Sequence, residues 1–499
     1  MSKKATTNPK EKKNTYWSFL FQKPQLVDWM AIIVSCIIGY IFIHICYPTP
    51  ATYSDAFSYV AAAASDQFSI YRPFGYSAFL QVVHAFSHGL QAVIIAQFLL
   101  YALSLGLFLL AIKRYYPITQ TWVRILIEVV TTLAPTCLYM LNALMSDALF
   151  CCLILIMLAM LLVVIYDNSW LAAGVYLAAF FGCLFVRYSA MFFPLAFIPI
   201  LILAGKPLLR WTTIVITCIL FAVFYQNICT NMQHVIHRKQ FSTGFDGWQL
   251  ANNAMHILPY IEDEQQPDDR RLRDLHNFVQ PYFNDLTIAA TDSGRHVTAA
   301  FIWQSHFPLK QYMYRYMQTT QTPYPIAWSR LGGGLYSDYG KWLILHYPAL
   351  FWKYYLSLNI KDVFYPNTFM EMLAHYSEVP SDQQDMASWF GMNTAEPHPA
   401  RYPIYEQGLK NVLPAIELTT WCLFIAALVL IIICRKTALA TRPQRLAFAL
   451  LFVFGFVYYG TTTFAAPIVI RYWLPMHSLK LAFVWMALHE LYGKRCLTT

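Results

Sequence analysis

The chain has 499 residues, 58% hydrophobic and 12% charged, with a net charge of +9 from 35 Lys and Arg against 26 Asp and Glu. Soluble domains carry about 25% charged residues, so a soluble protein of this size is excluded. Aromatic residues make up 17%, which suits helices that cross membrane interfaces and need anchors there.

Taken in order, ten apolar runs approach the roughly 20 residues needed to cross a bilayer core. They fall near 28–47, 91–112, 122–140, 148–166, 170–186, 188–205, 211–229, 413–434, 446–466 and 468–490. The tail before the first run carries Lys3, Lys4, Lys10, Lys12, Lys13 and Lys23 against Glu11, with no signal-peptide pattern, so the positive-inside rule keeps it in the cytoplasm. Ten crossings then place Lys113, Arg114 and Arg124, Lys206 and Arg210, Arg435 to Arg445, and Lys494 with Arg495 on that same side. The basic excess is largely an orientation signal, and nucleic acid is not an expected partner.

The expected architecture is therefore an α-helical polytopic membrane protein of about ten transmembrane helices with a mainly helical extracytoplasmic domain. It divides into a basic cytoplasmic tail (1–27), a membrane module (28–229) with a first outer loop (48–90), an outer domain (230–412), C-terminal membrane helices (413–490) and a short cytoplasmic tail (491–499). Segment 230–412 holds 14 Lys and Arg against 17 Asp and Glu; it is mildly acidic where the rest is basic. None of the 11 Cys falls within it, although Cys46 and Cys229 lie near one face and are placed to pair. Absence of N-x-S/T acceptors points to a bacterial inner membrane.

Ionisable groups at the membrane surface are costly and so are functional candidates. The topology gathers Asp55, Asp66 and Arg72 of the first loop, Asp147 in the turn before the fourth run, Arg187 after the fifth and Arg471 at the last, all on the outer face. A sugar carried on a polyprenyl phosphate needs such a layer: guanidiniums fork onto phosphate oxygens, and a carboxylate takes the proton of the attacking hydroxyl. Each residue also has a plainer reading, since Asp55 and Asp147 sit where Asp caps helices and a single Arg snorkels to headgroups. Glu128 and Lys480, inside runs, read as a structural pair, and His84, His88 and His477 as interfacial polar groups.

The sequences Ser54-Asp55-Ala56-Phe57, Arg72-Pro73-Phe74-Gly75-Tyr76, Ser146-Asp147-Ala148-Leu149-Phe150 and Arg471-Tyr472 with Pro475 resemble the type C membrane glycosyltransferases (GT-C superfamily), which include protein mannosyltransferases and lipid A aminoarabinose transferases. The resemblance implies a many-helix fold and transfer from a polyprenyl-phosphate sugar to a lipid, glycan or protein acceptor, usually with inversion. It implies that Asp55 is the catalytic base, that Asp147 is a second acidic group orienting acceptor or metal, and that Arg471 holds the donor phosphate; Tyr472, Arg187 and Arg72 are further candidates for that phosphate. Many relatives have an acidic pair where Ser54-Asp55 stands, so a divalent metal is left open. Asp66 and, from Gly244–Met255, Trp248, Gln249, Asn252 and Asn253 are candidates for the acceptor sugar. The triple glycine at 332–334 reads as a hinge or turn, because it lacks a phosphate loop's Lys-Ser/Thr ending. Competing functions are a polysaccharide polymerase or ligase and a transporter or lipid flippase; the first-loop acid favours transfer, and the lack of an internal repeat disfavours transport.

Overall fold

The computed structural model describes residues 15–52, 54–262, 265–284, 299–364, 384–391 and 403–495. The lysines of the first 14 residues and Cys496 lie outside them. Among the described residues every regular element is helical, apart from one isolated bridge between Ala51 and Ala143.

All ten apolar runs are helical. The first is α1 (Lys23–Cys46). Two short helices of the following loop are α2 (Ser54–Ser65) and α3 (Gly75–His84). Next come α4 (Leu90–Tyr115), α5 (Thr121–Thr132) with α6 (Pro135–Leu141), α7 (Ser146–Asp167), α8 (Trp170–Val186), α9 (Phe193–Leu203) and α10 (Pro207–Ile236). Beyond an interspan domain lie α15 (Pro403–Ile433), α16 (Arg442–Ala465) and α17 (Leu474–Arg495), the numbers between being used below. Six of these helices are long and apolar enough to cross a membrane, or seven if α5 and α6, bent by 47° about Pro135, form one span. Trp170–Val186 and Tyr188–Leu203 are shorter, and α17 carries His477, Lys480, His489 and Glu490. Membrane embedding by multiple helices therefore follows, with six or seven spans by length and composition.

Burial orders these helices. The most apolar window of α7 is 83% buried, against 28% for α10 and 33% for α1, so α7 is the axis and the others surround it. Asn168, in left-handed conformation (φ 53°), ends α7 and turns the chain back into α8, which packs along it. Small residues set the approach of neighbours, as is usual where lipid leaves little hydrophobic drive. A Cβ on Gly106 of α4 would lie 2.1 Å from the Trp29 ring of α1.

Buried charge is paired, as low dielectric requires. Asp28 accepts from Arg124 Nε at 3.1 Å and from Lys113, so these basic residues neutralise a buried acid as well as flanking spans. Lys480 does not pair with Glu128: its Nζ donates to Glu417 of α15 at 3.1 Å and to the Thr420 hydroxyl at 3.0 Å. Glu128 instead lies beside Asp28. Cys46 and Cys229 are free thiols; the helix of the first packs on α4 and α5, and that of the second on α8 and α9.

The interspan domain contributes α11 (Phe245–Met255), α12 (Pro308–Thr320), α13 (Tyr324–Arg330) and α14 (Ser337–His346). The triple glycine does not break the chain between helices: it lies in a π-helical segment, Leu331–Tyr336, that runs continuously from α13 into α14. Gly332 serves close approach: a Cβ on it would lie 2.2 Å from the Gly244 carbonyl, and one on Gly247 only 1.7 Å from that of Gly332. Two buried asparagines then fasten the domain to the membrane helices. Asn253 Nδ2 donates to the Phe464 and Ala465 carbonyls (3.0 Å each), and Asn359 Nδ2 to those of Thr463 (2.6 Å) and Ala466 (2.8 Å). These are the carbonyls that the end of α16 leaves without helical partners.

Gly247→Ala must force α11 away from the π turn, and overpacking of this kind costs about 1–3 kcal/mol. The thermal midpoint of the detergent-solubilised chain should fall, whereas Gly334→Ala, whose Cβ would meet nothing within 4 Å, should leave it in place.

Candidate active site

The first loop is stitched to the turn that precedes α7. Ala51 N–H donates to the Asn142 carbonyl and Leu144 N–H to that of Ala51, both at 2.9 Å. Gln97 of α4 holds the same turn, its Nε2 donating to the carbonyls of Leu141 (2.8 Å) and Ala143 (3.1 Å) while its Oε1 accepts from the Tyr76 hydroxyl (2.9 Å). Asp55 in the first turn of α2 and Asp147 in the first turn of α7 are thereby brought near each other, each at a helix N-terminus, where a negative charge is favoured.

Asp55 is the centre of the assembly. Arg72 forks onto it, Nη2 to Oδ1 at 2.5 Å and Nη1 to Oδ2 at 3.0 Å, and Arg471 Nη1 donates to Oδ2 at 2.8 Å. Arg72 is itself held by the Ser58 hydroxyl (Nε, 2.9 Å) and lies over the Tyr59 ring. Burial alone would raise the Asp55 carboxyl, but the two guanidiniums outweigh it and hold the group well below the usual carboxylate range. Beside it Asp147 is ion-paired with Arg187. The Tyr472 ring lies between the two halves, with Arg187 at 5.3 Å and Arg471 at 5.6 Å from its centroid. The site thus holds the five charged residues expected of it, three guanidiniums against two carboxylates, with one positive charge in excess.

Some polar atoms here are unsatisfied. Asp147 Oδ2, Arg471 Nε and the Tyr188 hydroxyl are buried without a hydrogen-bond partner, a state costing about 1–3 kcal/mol per group. Of these, Arg471 Nε, a donor in a cluster of net positive charge, suits an oxygen of an anionic ligand, whereas Asp147 Oδ2 can only accept and suits a hydroxyl. A divalent metal fits the donor set poorly: among the described residues no three His, Cys, Asp or Glu converge, and both Asp55 oxygens already accept from guanidiniums.

The remaining candidates lie elsewhere. Asp66, just past α2 with φ 52°, is about 16 Å along the helix from Asp55 at 1.5 Å per residue; its Oδ1 accepts from Gln81 Nε2 at 3.2 Å. Trp248 has no free face for a sugar. It stacks on Trp328 at 4.3 Å with the Tyr336 ring edge against it, and its Nε1 donates to the Trp328 carbonyl. Asn253 caps α16 and Asn252 Nδ2 donates to Asn253 Oδ1, so this segment anchors the domain. Gln249 is half-buried, with its Oε1 unpartnered.

Lys310 was not among the expected residues. It is 5% exposed, its Nζ donates to the Tyr324 hydroxyl at 2.6 Å and stands over the rings of Trp328 (4.5 Å) and Trp248 (5.3 Å). Tyr71 reaches this cage from the first loop, edge-on to Trp328 and hydrogen-bonded to Tyr324. The cage therefore touches the residue preceding Arg72. The sequence signal was a lysine sharing the apolar side of α12 with Leu309 and Met313.

Comparison with protein-family models, with curated proteins and with solved structures returned no match to this chain.

Burial pushes the Lys310 amine down to about 8 from an ordinary 10.5. Below pH 8 native and unfolded chains both carry the charge, and its burial cost is fully present. Between the two values the native lysine loses its proton first, so the unfolded state binds more protons and stability rises with pH. The thermal midpoint should therefore climb across that interval by more in the native protein than in Lys310→Met.

Proposed function

We propose that the chain is an integral membrane glycosyltransferase that moves a sugar from a polyprenyl-phosphate carrier to a hydroxylated lipid, glycan or protein acceptor. The observation that supports this most strongly is the clasp of one juxtamembrane carboxylate, Asp55, by Arg72 and Arg471. On this reading the chain crosses the membrane ten times, with both termini cytoplasmic and the site at the outer face of a bacterial inner membrane.

In the resting arrangement Asp55 is too strongly paired to act as a base. A donor phosphate supplies competing oxygens for Arg471 and Arg72, and for the unpartnered Arg471 Nε. As the guanidiniums turn to phosphate, they release Asp55, whose basicity rises toward the ordinary carboxylate value. The acceptor hydroxyl then attacks the anomeric carbon while Asp55 takes its proton. The bond from that carbon to the phosphate oxygen breaks, the anomeric centre inverts, and the polyprenyl phosphate leaves with its new charge stabilised by the preorganised arginines. Tyr472 keeps Arg187 and Arg471 in register, and Asp147 holds Arg187, with Oδ2 left to orient the acceptor. No step is assigned to a metal.

A transport function is favoured by one observation, the ionisable groups buried within the bundle: Glu417 with Lys480, and Asp28 with Glu128. Lys480 and Glu417 are, however, bonded to each other and to Thr136 and Thr420, which suits a staple better than a moving ion's path.

With the full chain in vesicles, Asp55→Asn should lower transfer by about 10²–10⁴-fold, the range for loss of a general base, while donor binding is kept or tightened because two guanidiniums are freed. Full transfer by a folded Asp55→Asn protein would sink the base assignment. Arg471→Ala should weaken polyprenyl-phosphate binding; if only acceptor affinity falls, the phosphate lies elsewhere.

A further inference from the structure

A cleft of about 290 Å³ adjoins the first loop but is separate from the charged cluster. Its polar lining is Asp66 from the loop with Asn227 and Asn231 from α10; its apolar walls include Phe68, Phe74 and Phe185. Pro73 and Phe74 directly follow Arg72, so the cleft shares a wall with the chain that grips Asp55. That wall has little freedom: a Cβ on Gly75 would lie 2.4 Å from the Phe185 carbonyl, which presses the start of α3 against the end of α8.

The chemistry of the lining selects a ligand. It contains one carboxylate, two primary amides and aromatic faces, and no cation. Asn231 Nδ2 donates to Asn227 Oδ1 at 3.1 Å, and Asp66 Oδ1 accepts from Gln81, which leaves further amide and carboxylate capacity uncommitted. Such a set repels phosphate and suits hydroxyl groups, which both donate and accept, while ring faces cover the C–H side of a sugar. The route in is also marked. Val215, Ile219 and Val223 of α10, each about half exposed at 53%, 53% and 48%, form a ridge in steps of four residues. The next two steps are Asn227 and Asn231, so a lipid-facing ridge turns to amide where it reaches the cleft.

We propose that this cleft receives the neutral, polyhydroxylated headgroup of a membrane lipid, the acceptor of the reaction, with its acyl chains along the exposed ridge of α10. The inference rests on the transferase reading given above. It divides the substrates by charge: the anionic donor goes to the arginines, and the neutral acceptor goes to the amides.

The test is a binding measurement without turnover, on the full chain in phosphatidylcholine nanodiscs, with monoglucosyl diacylglycerol as probe and diacylglycerol as control, read by native mass spectrometry. The wild-type protein should prefer the glucolipid by about tenfold or more, as two to three net hydrogen bonds allow. Replacing Asn227 and Asn231 together with Leu should abolish the preference and leave polyprenyl-phosphate binding unchanged. Both sites lie at the surface of a long helix, and equal thermal midpoints would show the variant folded. Equal affinity of the wild type for the two lipids, or an unchanged preference in the variant, overturns the proposal. So does full displacement of the glucolipid by millimolar free maltose, which would indicate a soluble saccharide. If selectivity holds but no lipid-phosphate sugar is ever transferred, the cleft stands and the reaction class falls. If Asp55→Asn abolishes transfer while selectivity is absent, the cleft alone falls.

Discussion

The structure depends on one carboxylate shared by two guanidiniums. Asp55 accepts from Arg72, 17 residues on, and from Arg471, 416 residues on, so a single ionic contact ties the first loop to the entry of the last helix. The 3₁₀ turn Ile470–Trp473 is closed locally by the Tyr472 N–H donating to the Val469 carbonyl at 3.0 Å, and two long-range contacts place it. One end is set by Asp55, and the other by Asn359, whose Oδ1 accepts from the Ile468 N–H at 2.7 Å. The loop likewise depends on the turn, because Arg471 supplies the second guanidinium donor to Asp55 Oδ2, beside that of Arg72. The interspan domain enters through the same contact, since Asn253 and Asn359 fix the end of α16 just before the turn begins.

The same constraint, that charge withdrawn from water must be matched, accounts for the rest of the bundle. Near the opposite end Asp28 is balanced by Lys113 and Arg124, and Arg114 Nη2 donates to Asp167 at 3.1 Å. Midway, Lys480 joins α17 to α15 through Glu417, with the Trp421 ring 4.6 Å from its Nζ. Removing one partner of such a buried pair costs about 3–5 kcal/mol, because the other is then left uncompensated. The pairs therefore specify which helices adjoin even though each adds little net stability. Apolar helices in lipid pack almost equally well against many neighbours, so a few polar contacts select the arrangement.

Much of this was legible in the sequence, for identifiable reasons. Apolar length marked the six or seven helices long enough to span, because a span must satisfy its own backbone and so is continuous in sequence, while the other expected spans are shorter or more polar helices. The acids and arginines of the site were legible as a set because an expected alternation of side along the apolar runs put them on one face. Pairings were not: Asp55 with Arg471 and Lys480 with Glu417 depend on the order of helices around α7, which no local pattern encodes. The segment Gly244–Met255 misled for a related reason. Trp and Asn suit both sugar recognition and interior capping, and only the positions of Trp328 and the end of α16 decide between them. The glycine run misled because Gly332 serves a close approach rather than a break, and the approaching chain, Gly244 and Gly247, lies 85 or more residues earlier.

The separation of the anion-suited cluster from the amide-lined cleft follows from the geometry of α2. Asp55 at its first turn and Asp66 just beyond its last bear similar charges about three turns apart, yet their surroundings differ in sign. Asp55 is overmatched by guanidiniums, whereas Asp66 has only an amide donor in Gln81. One short helix thus has a cationic cluster at one end and a weakly acidic cleft at the other, linked by the segment Arg72–Phe74 of the loop. Arg72, which grips Asp55, is followed directly by Pro73 and Phe74 of the cleft wall, and Gly75 is pinned against Phe185. The two ends of α2 are therefore joined by one short, sterically constrained stretch of chain.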